Sequence, residues 1–172
     1  MKQQIVVSGI GGQGVLFVTR LFAEVALEMR LEVLTSEIHG MAMRGGTVLS
    51  HVKVGDFKSP LIRQGQADAA VIVNAENLSL HRGFVKERGA ILVNTPNAGD
   101  YLQVDADKLA RDNGFPTGSN LVLVGYGVGR GVVFCEAGAA EKVIRKMSGP
   151  AQVEANVSSF LLGRRYALEG KV

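Results

Sequence analysis

Two short segments of this 172-residue chain carry residue types that could do chemistry. The first is Ser36-Glu37-Ile38-His39-Gly40-Met41-Ala42-Met43-Arg44-Gly45-Gly46. An acid, an imidazole and a guanidinium stand among three glycines, between the apolar runs Leu31–Thr35 and Val48–Val54. Both runs read as strands, so the polar segment reads as a loop on a rigid scaffold, a usual place for function. Arg44 can grip a carboxylate or phosphate with two hydrogen bonds. His39 is a candidate for chemistry or a satisfied structural residue. Glu37 either closes the second strand as a ribose-binding acid or pairs with Arg44. Gly40, Gly45 and Gly46 let the chain turn sharply and approach another backbone. The candidate catalytic set is Glu37, His39 and Arg44, none of them certain.

The second segment is Gly9-Ile10-Gly11-Gly12-Gln13-Gly14, which follows the β-branched run Ile5-Val6-Val7 and precedes a helical stretch, Val15 to Met29. This is G-x-G-x-x-G between a strand and a helix. Glycines permit a tight turn, and the helix start offers free N–H groups and partial positive charge to an anion. The same spacing also serves a turn that binds nothing. Gly9, Gly11, Gly12, Gln13 and Gly14, with Gly45 and Gly46, form the candidate binding set.

These loops need a scaffold. Strands and helices alternate along the chain. Leu16, Leu21, Val25 and Leu27 give the first helix an apolar side, with Arg20, Glu24 and Glu28 facing water. Thr47–Val54 alternates and reads as an edge or antiparallel strand. Gly55-Asp56 signals a turn, with Phe57–Pro60 returning as a hairpin. Ala67–Val73 and Ala90–Val93 are buried strands, with a short helix from Glu76 to Val85 between them. Asp105 caps a helix that ends at Asn113 before Gly114. Asn120–Phe134 fits a strand by its alternating glycines, or a helix laid close against another backbone. The helix is preferred, with Asn120 as its cap. Glu136–Met147 and Val153–Leu168 are helical. The fold expected is α/β: a three-layer, Rossmann-like, mostly parallel sheet with helices on both faces, forming one domain over residues 1–172.

Composition narrows the function. The chain is 47% hydrophobic and 20% charged, with formal charge +3 and no Trp. Its basic residues are dispersed, so no nucleic-acid footprint is expected. No stretch is long and apolar enough for a membrane span or a leader, and the single Cys135 fits a reducing cytoplasm. One thiol cannot hold an iron–sulfur cluster, which normally takes four. His39, His51 and His81 lack zinc-ligand spacing.

Taken together, the glycine motif, Glu37-x-His39-Gly40-Met41-x-x-Arg44-Gly45-Gly46, Ser50-His51-Val52 and Ser59-Pro60-Leu61-Ile62 before Ala67-Asp68 resemble the gamma subunit or domain of 2-oxoacid:ferredoxin oxidoreductases. The likeness leans towards the small subunit of the indolepyruvate enzymes, with the pyruvate, 2-ketoisovalerate and 2-oxoglutarate relatives also in range. Asn94-Thr95 and Asn120 fit in order, so it runs along nearly the whole chain. Ala42-Met43 departs from the family's usual Ser-Gln or Ala-Gln, and residues 125–131 are richer in glycine.

The resemblance implies a multisubunit complex. It decarboxylates a 2-oxoacid on thiamine diphosphate with Mg, passes electrons through 4Fe–4S clusters to ferredoxin, and releases an acyl-CoA. This chain has neither the thiamine diphosphate motif nor cluster thiolates. It would therefore bind none of these groups alone, depend on catalytic partner subunits and meet ferredoxin only indirectly; in isolation it would be inactive, with a homodimer as one form it could take. The alternatives are a free-standing NAD(P)-binding dehydrogenase, using Gly9, Gly11, Gly14 and Glu37, or a regulatory nucleotide-binding module.

Overall fold

A computed structural model describes residues 1–40 and 45–170. Six strands form one sheet in the order β2-β3-β1-β4-β5-β6. The strands are β1 (Gln3–Ile10), β2 (Val33–His39), β3 (Thr47–Val54), β4 (Ala67–Ile72), β5 (Val85–Asn94) and β6 (Leu102–Val104). The pairs β1–β4, β4–β5 and β5–β6 are parallel. β3 is antiparallel to both β1 and β2 and runs against all the others. The expected mostly parallel α/β sheet is borne out.

The two faces are covered unequally. Odd-numbered β1 residues, Ile5 and Val7, share a large core with α1 (Val15–Glu28), α3 (Ala106–Asp112), α4 (Ser119–Gly129), α5 (Ala137–Met147) and α6 (Val153–Glu169). Even-numbered Val6 joins a smaller core with Leu49, Ile62, Ala70, Ile72 and Val93. The cover there is thin: the one-turn α2 (Leu78–His81), flanked by 3-10 turns, and the loop that carries Ile62. Successive strand residues face different layers and both layers are apolar, which is why Ile5, Val6 and Val7 form an unbroken apolar run.

Several local expectations are met for the reasons given. Asp105 caps α3 by accepting from the Lys108 N–H at 2.9 Å, and Gly114 follows with φ +82°. The glycine-rich stretch after Asn120 is a helix. α4 is pressed between the sheet and α6, and its glycines permit that. A Cβ on Gly125 would strike the Phe160 carbonyl, and one on Gly163 of α6 would strike the Val122 carbonyl. A Cβ on Gly127 would lie 2.9 Å from Leu92 Cδ2 on β5.

Others are corrected. The α4 cap is Gly118, not Asn120, whose Oδ1 instead accepts from the Leu121 N–H at 2.8 Å. The second strand runs Val33–His39, so Glu37 and His39 lie on a strand and the loop is shorter than expected. β3 is antiparallel as read but internal, and buried along nearly its whole length, because β2 covers its outer edge. Phe57–Pro60 does not pair as a hairpin. The helix expected from Glu76 to Val85 is broken into short turns. β6 has no counterpart in the sequence reading, since three residues are too few for a period to register. Leu16 and Leu27 are exposed, and the wet side of α1 instead carries pairs to α5: Glu28 with Lys142 at 2.5 Å and Glu24 with Lys146 at 3.9 Å.

Candidate functional site: a glycine loop at the switch point of the sheet

From β1 the chain crosses to β2 by α1 on the thick face. From β4 it crosses to β5 by α2 on the thin face. β1 and β4 are neighbours, so the connections part between their carboxyl ends. In open α/β sheets ligands bind in the crevice that such a parting leaves. A cleft of about 370 Å3 lies here, lined by Gly12, Gln13, Gly14, Val73, Asn94, Asp107 of α3, Pro116 and Thr117, with Ser119 and Asn120 at the start of α4.

The glycine loop is built by its own backbone. Gly12 and Gly14 have φ +96° and +80°, which L side chains rarely adopt. The Gln13 N–H donates to the Ile10 carbonyl at 3.1 Å, and the Ile10 N–H donates to Gln13 Oε1 at 2.9 Å. Gln13 is therefore a brace for the turn. Gly9 still belongs to β1, and its missing side chain makes room for Val15, whose Cγ2 would lie 2.7 Å from a Cβ. Gly12 has open space around it. Gly14 also abuts the Asn120 side-chain amide. α1 begins directly after Gly14, and the first amides of a helix have no partner inside it. α4 also begins at this cleft, at Ser119. Two helix starts bring amides and partial positive charge to one edge, an arrangement that suits an anionic group.

Asn94 at the end of β5 ties the far wall. Its Oδ1 accepts from the Ala106 N–H at 2.9 Å and its Nδ2 donates to the Val73 carbonyl at 3.2 Å. On the thin face, Asn77 Nδ2 donates to the Gly9 carbonyl at 2.7 Å and to Ser8 Oγ at 3.1 Å. The Ser8 hydroxyl lies 2.7 Å from His81 Nδ1. Burial holds His81 less basic than an ordinary histidine, and its Nδ1 shares a hydrogen bond with the Ser8 hydroxyl. Ser8, Asn77 and His81 escaped the sequence reading because nothing local links them. Asn94 had a signal, since an amide closes an apolar strand just before Pro96.

The second loop does meet the first. The Gly11 N–H donates to the Gly46 carbonyl at 2.9 Å, and Gly40 N–H donates to the Thr47 carbonyl at 2.8 Å. β2 is not adjacent to β1; β3 stands between them and starts where β1 ends, which brings the β2–β3 hairpin beside the glycine loop. Gly45 has φ +71° and serves that turn. The Gly11 amide is thus spent on the hairpin and is not free for an anion.

Glu37 and His39 project from edge strand β2 and are exposed, with His39 Nε2 3.6 Å from Glu37 Oε2. Glu37 pairs with Ser50, which pairs with Val7, so it sits level with the middle of β1 rather than with the glycine loop. Met41 to Arg44 lie outside the described residues, and so does the expected contact of Glu37 with Arg44.

Cys135 is buried, and burial pushes its thiol well above the usual range, so it packs as an apolar residue. No group of three or more His, Cys, Asp or Glu is placed to hold a metal among the described residues. No helix of these residues is long and apolar enough to cross a membrane.

A doubly wound sheet with a glycine loop at its switch point defines a Rossmann-like α/β protein. Residues 4–166 match the family described as pyruvate ferredoxin/flavodoxin oxidoreductase, and the chain belongs to that family. It is 28% identical to the indolepyruvate oxidoreductase subunit IorB of Archaeoglobus fulgidus, over 99% of this chain and 98% of that one. It matches the keto/oxoacid ferredoxin oxidoreductase gamma subunit of Geobacter sulfurreducens at 28% identity and a TM-score of 0.78, covering 98% and 99% of the two chains. The pyruvate oxidoreductase subunit PORC of Thermotoga maritima aligns with a TM-score of 0.78 at 25% identity, over 95% and 96% of the two chains. The resemblance to gamma subunits is borne out.

Proposed function

We propose that this chain is the gamma-type subunit of a cytoplasmic 2-oxoacid:ferredoxin oxidoreductase, forming one domain over residues 1–172. In the assembled complex a 2-oxoacid is oxidatively decarboxylated to an acyl-CoA. Thiamine diphosphate, Mg and the 4Fe–4S clusters reside in partner subunits, which pass electrons on to ferredoxin. The observation that carries this reading is the family match along residues 4–166, with relatives of nearly equal length. Cys135 as the lone, buried thiol is in keeping with cluster chemistry lying elsewhere. The cofactors supply the carbanion and electron chemistry; this chain supplies position and charge.

Its own part is at the glycine loop. The first amides of α1, with Gly12 open to the cleft, receive a diphosphate such as that of CoA, and Asn94 and Asn120 shape the opposite wall. The β2–β3 hairpin with Glu37, His39 and Arg44 faces the catalytic subunit. The dehydrogenase alternative needs an acid at the carboxyl end of the strand beside β1. On one side that neighbour is β3, which begins there instead of ending, and Glu37 lies one strand further out.

The test uses purified chain and reconstituted complex with 2-oxoacid, CoA and a viologen dye. The chain alone is expected to be silent. Gly12→Asp places a like charge in the cleft and is expected to raise the KM for CoA about tenfold or more while leaving assembly intact. Arg44→Lys is expected to lower complex activity. Turnover by the isolated chain would remove the subunit reading. An unchanged CoA dependence in Gly12→Asp would remove the anion role alone.

A further inference from the structure

On the thin face, at the opposite end of the β1 strand from the glycine loop, a cavity of about 640 Å3 is lined by Lys53, Arg63, Gln4, Ser59, Gln64 and Gln66, with Leu61. It holds two cations and no carboxylate among its described lining residues. Lys53 is only 8% exposed. Its apolar stem is packed while its ammonium opens to the cavity, since the buried side-chain nitrogens and oxygens without a partner among the described residues are Ser50 Oγ and His51 Nε2, not Lys53 Nζ. Here no carboxylate stands within ion-pair distance of it among the described residues. The nearby acids are already engaged: Asp68 with Lys86 and the Gln4 amide, and Asp56 with Lys58 at 2.6 Å.

What Lys53 does have is the Phe57 ring, with its Nζ 5.1 Å from the centroid, and the same ring also takes Lys2 Nζ at 5.2 Å. A ring face is a weaker partner than a carboxylate, and this one is shared between two ammonium groups. The charge is felt nearby. Two residues along β3, His51 is 2% exposed and held less basic than usual, first by burial and then by the positive charge of Lys53.

We propose that this cavity is a binding site for an anionic group, a carboxylate or a phosphate, clasped by Lys53 and Arg63 and hydrogen-bonded by the surrounding amides. The site is separate from the glycine cleft and does not depend on the role given to it. Lys53 is held by the sheet and would act as the fixed cation. Arg63 is exposed on the loop and can close on two oxygens of the ligand. The anion comes either as a free small molecule or as an acidic side chain of a partner subunit.

The isotopically labelled full chain is titrated with sodium phosphate and sodium malonate at constant ionic strength, with Lys53, Gln4 and His51 followed by NMR. Saturable shifts are expected at Lys53 and Gln4, and the His51 titration midpoint is expected to rise as the anion offsets the Lys53 charge. Arg63→Gln, a change at an exposed residue, is expected to weaken binding about tenfold, and Lys53→Met to abolish it. Shifts that grow linearly without saturating, or saturation unchanged in Arg63→Gln, would overturn the proposal, even where Lys53→Met fails to fold. Adding the partner subunits then separates the sources. Retained phosphate marks a free anion, whereas its expulsion, with weaker assembly of Lys53→Met, marks a partner carboxylate.

Discussion

Two stretches of this chain are unusually rich in glycine, and they use it for opposite ends. In Gly9–Gly14, glycine supplies backbone angles: Gly12 and Gly14 have positive φ, and a Cβ on Gly12 would meet nothing within 4 Å. In α4, the glycines at 125 and 127 have ordinary helical geometry and no free space. Gly125 meets the Phe160 carbonyl, and Gly163 of α6 returns the approach onto Val122. One set bends the chain between a strand and a helix, whereas the other removes volume so that α4 fits between the sheet and α6. Counting glycines does not tell these apart. The surroundings of the absent Cβ do.

The comparison breaks first at the helix seam. Gly163→Ala or Gly125→Ala forces a methyl into a carbonyl of the facing helix, which must shift as a whole. A loss of about 3 kcal/mol is expected, at the upper end for overpacking. Urea unfolding of each variant measures it. A cost below about 1 kcal/mol would mean that the two helices slide apart freely and that the glycines are not what sets their spacing.

The loop is expected to yield less. Gly14→Ala carries a left-handed strain of about 1–2 kcal/mol and also meets the Asn120 amide. Combining it with Asn120→Ala sharpens the reading, because the double variant recovers the contact part and keeps the strain part. Strict additivity of the two losses would show that the Asn120 contact is immaterial.

The smallest expected effect is acid sensitivity, and it belongs to the loop. The seam is held by apolar contact and backbone, while Gly9 is held through Asn77, Ser8 and His81. His81 and His51 are both less basic in the fold than in the unfolded chain, chiefly through burial. Above about pH 6.5 neither state is protonated at these rings and nothing changes. As pH falls through about 6.5, the unfolded chain takes up protons before the fold does, so stability declines. Unfolding midpoints from about pH 7.5 to about pH 5 should show the decline, reduced in His81→Gln. A profile as steep in that variant as in the parent would detach His81 from the effect.

How much of this was legible follows from which contacts are local. The α3 cap at Asp105 and the glycine turn before α1 depend on residues within a few positions, and both were readable. The amide of Gly11 was expected to face a ligand, yet it is bonded to Gly46, 35 positions along the chain. The β2–β3 hairpin reaches the glycine loop through β3, and nothing local announces that neighbour. Period-two patterning says that a segment is a strand and not which strand it pairs with.

By itself, the sequence determined the succession of strands and helices, the sharp turn at Gly12 and Gly14, the lone thiol, and the motifs that mark the oxidoreductase family. Backbone preference, side-chain periodicity and composition act over short spans, so a single chain read in order displays them. Tertiary structure alone decided that β3 would insert between β1 and β2, carrying Glu37 away from the crevice. It also decided that Ser8, Asn77 and His81 would brace Gly9, and that the Lys53 stem would be packed with no acid of the described residues paired to it. These depend on which strands become neighbours, a choice made by burying both faces of the whole sheet at once.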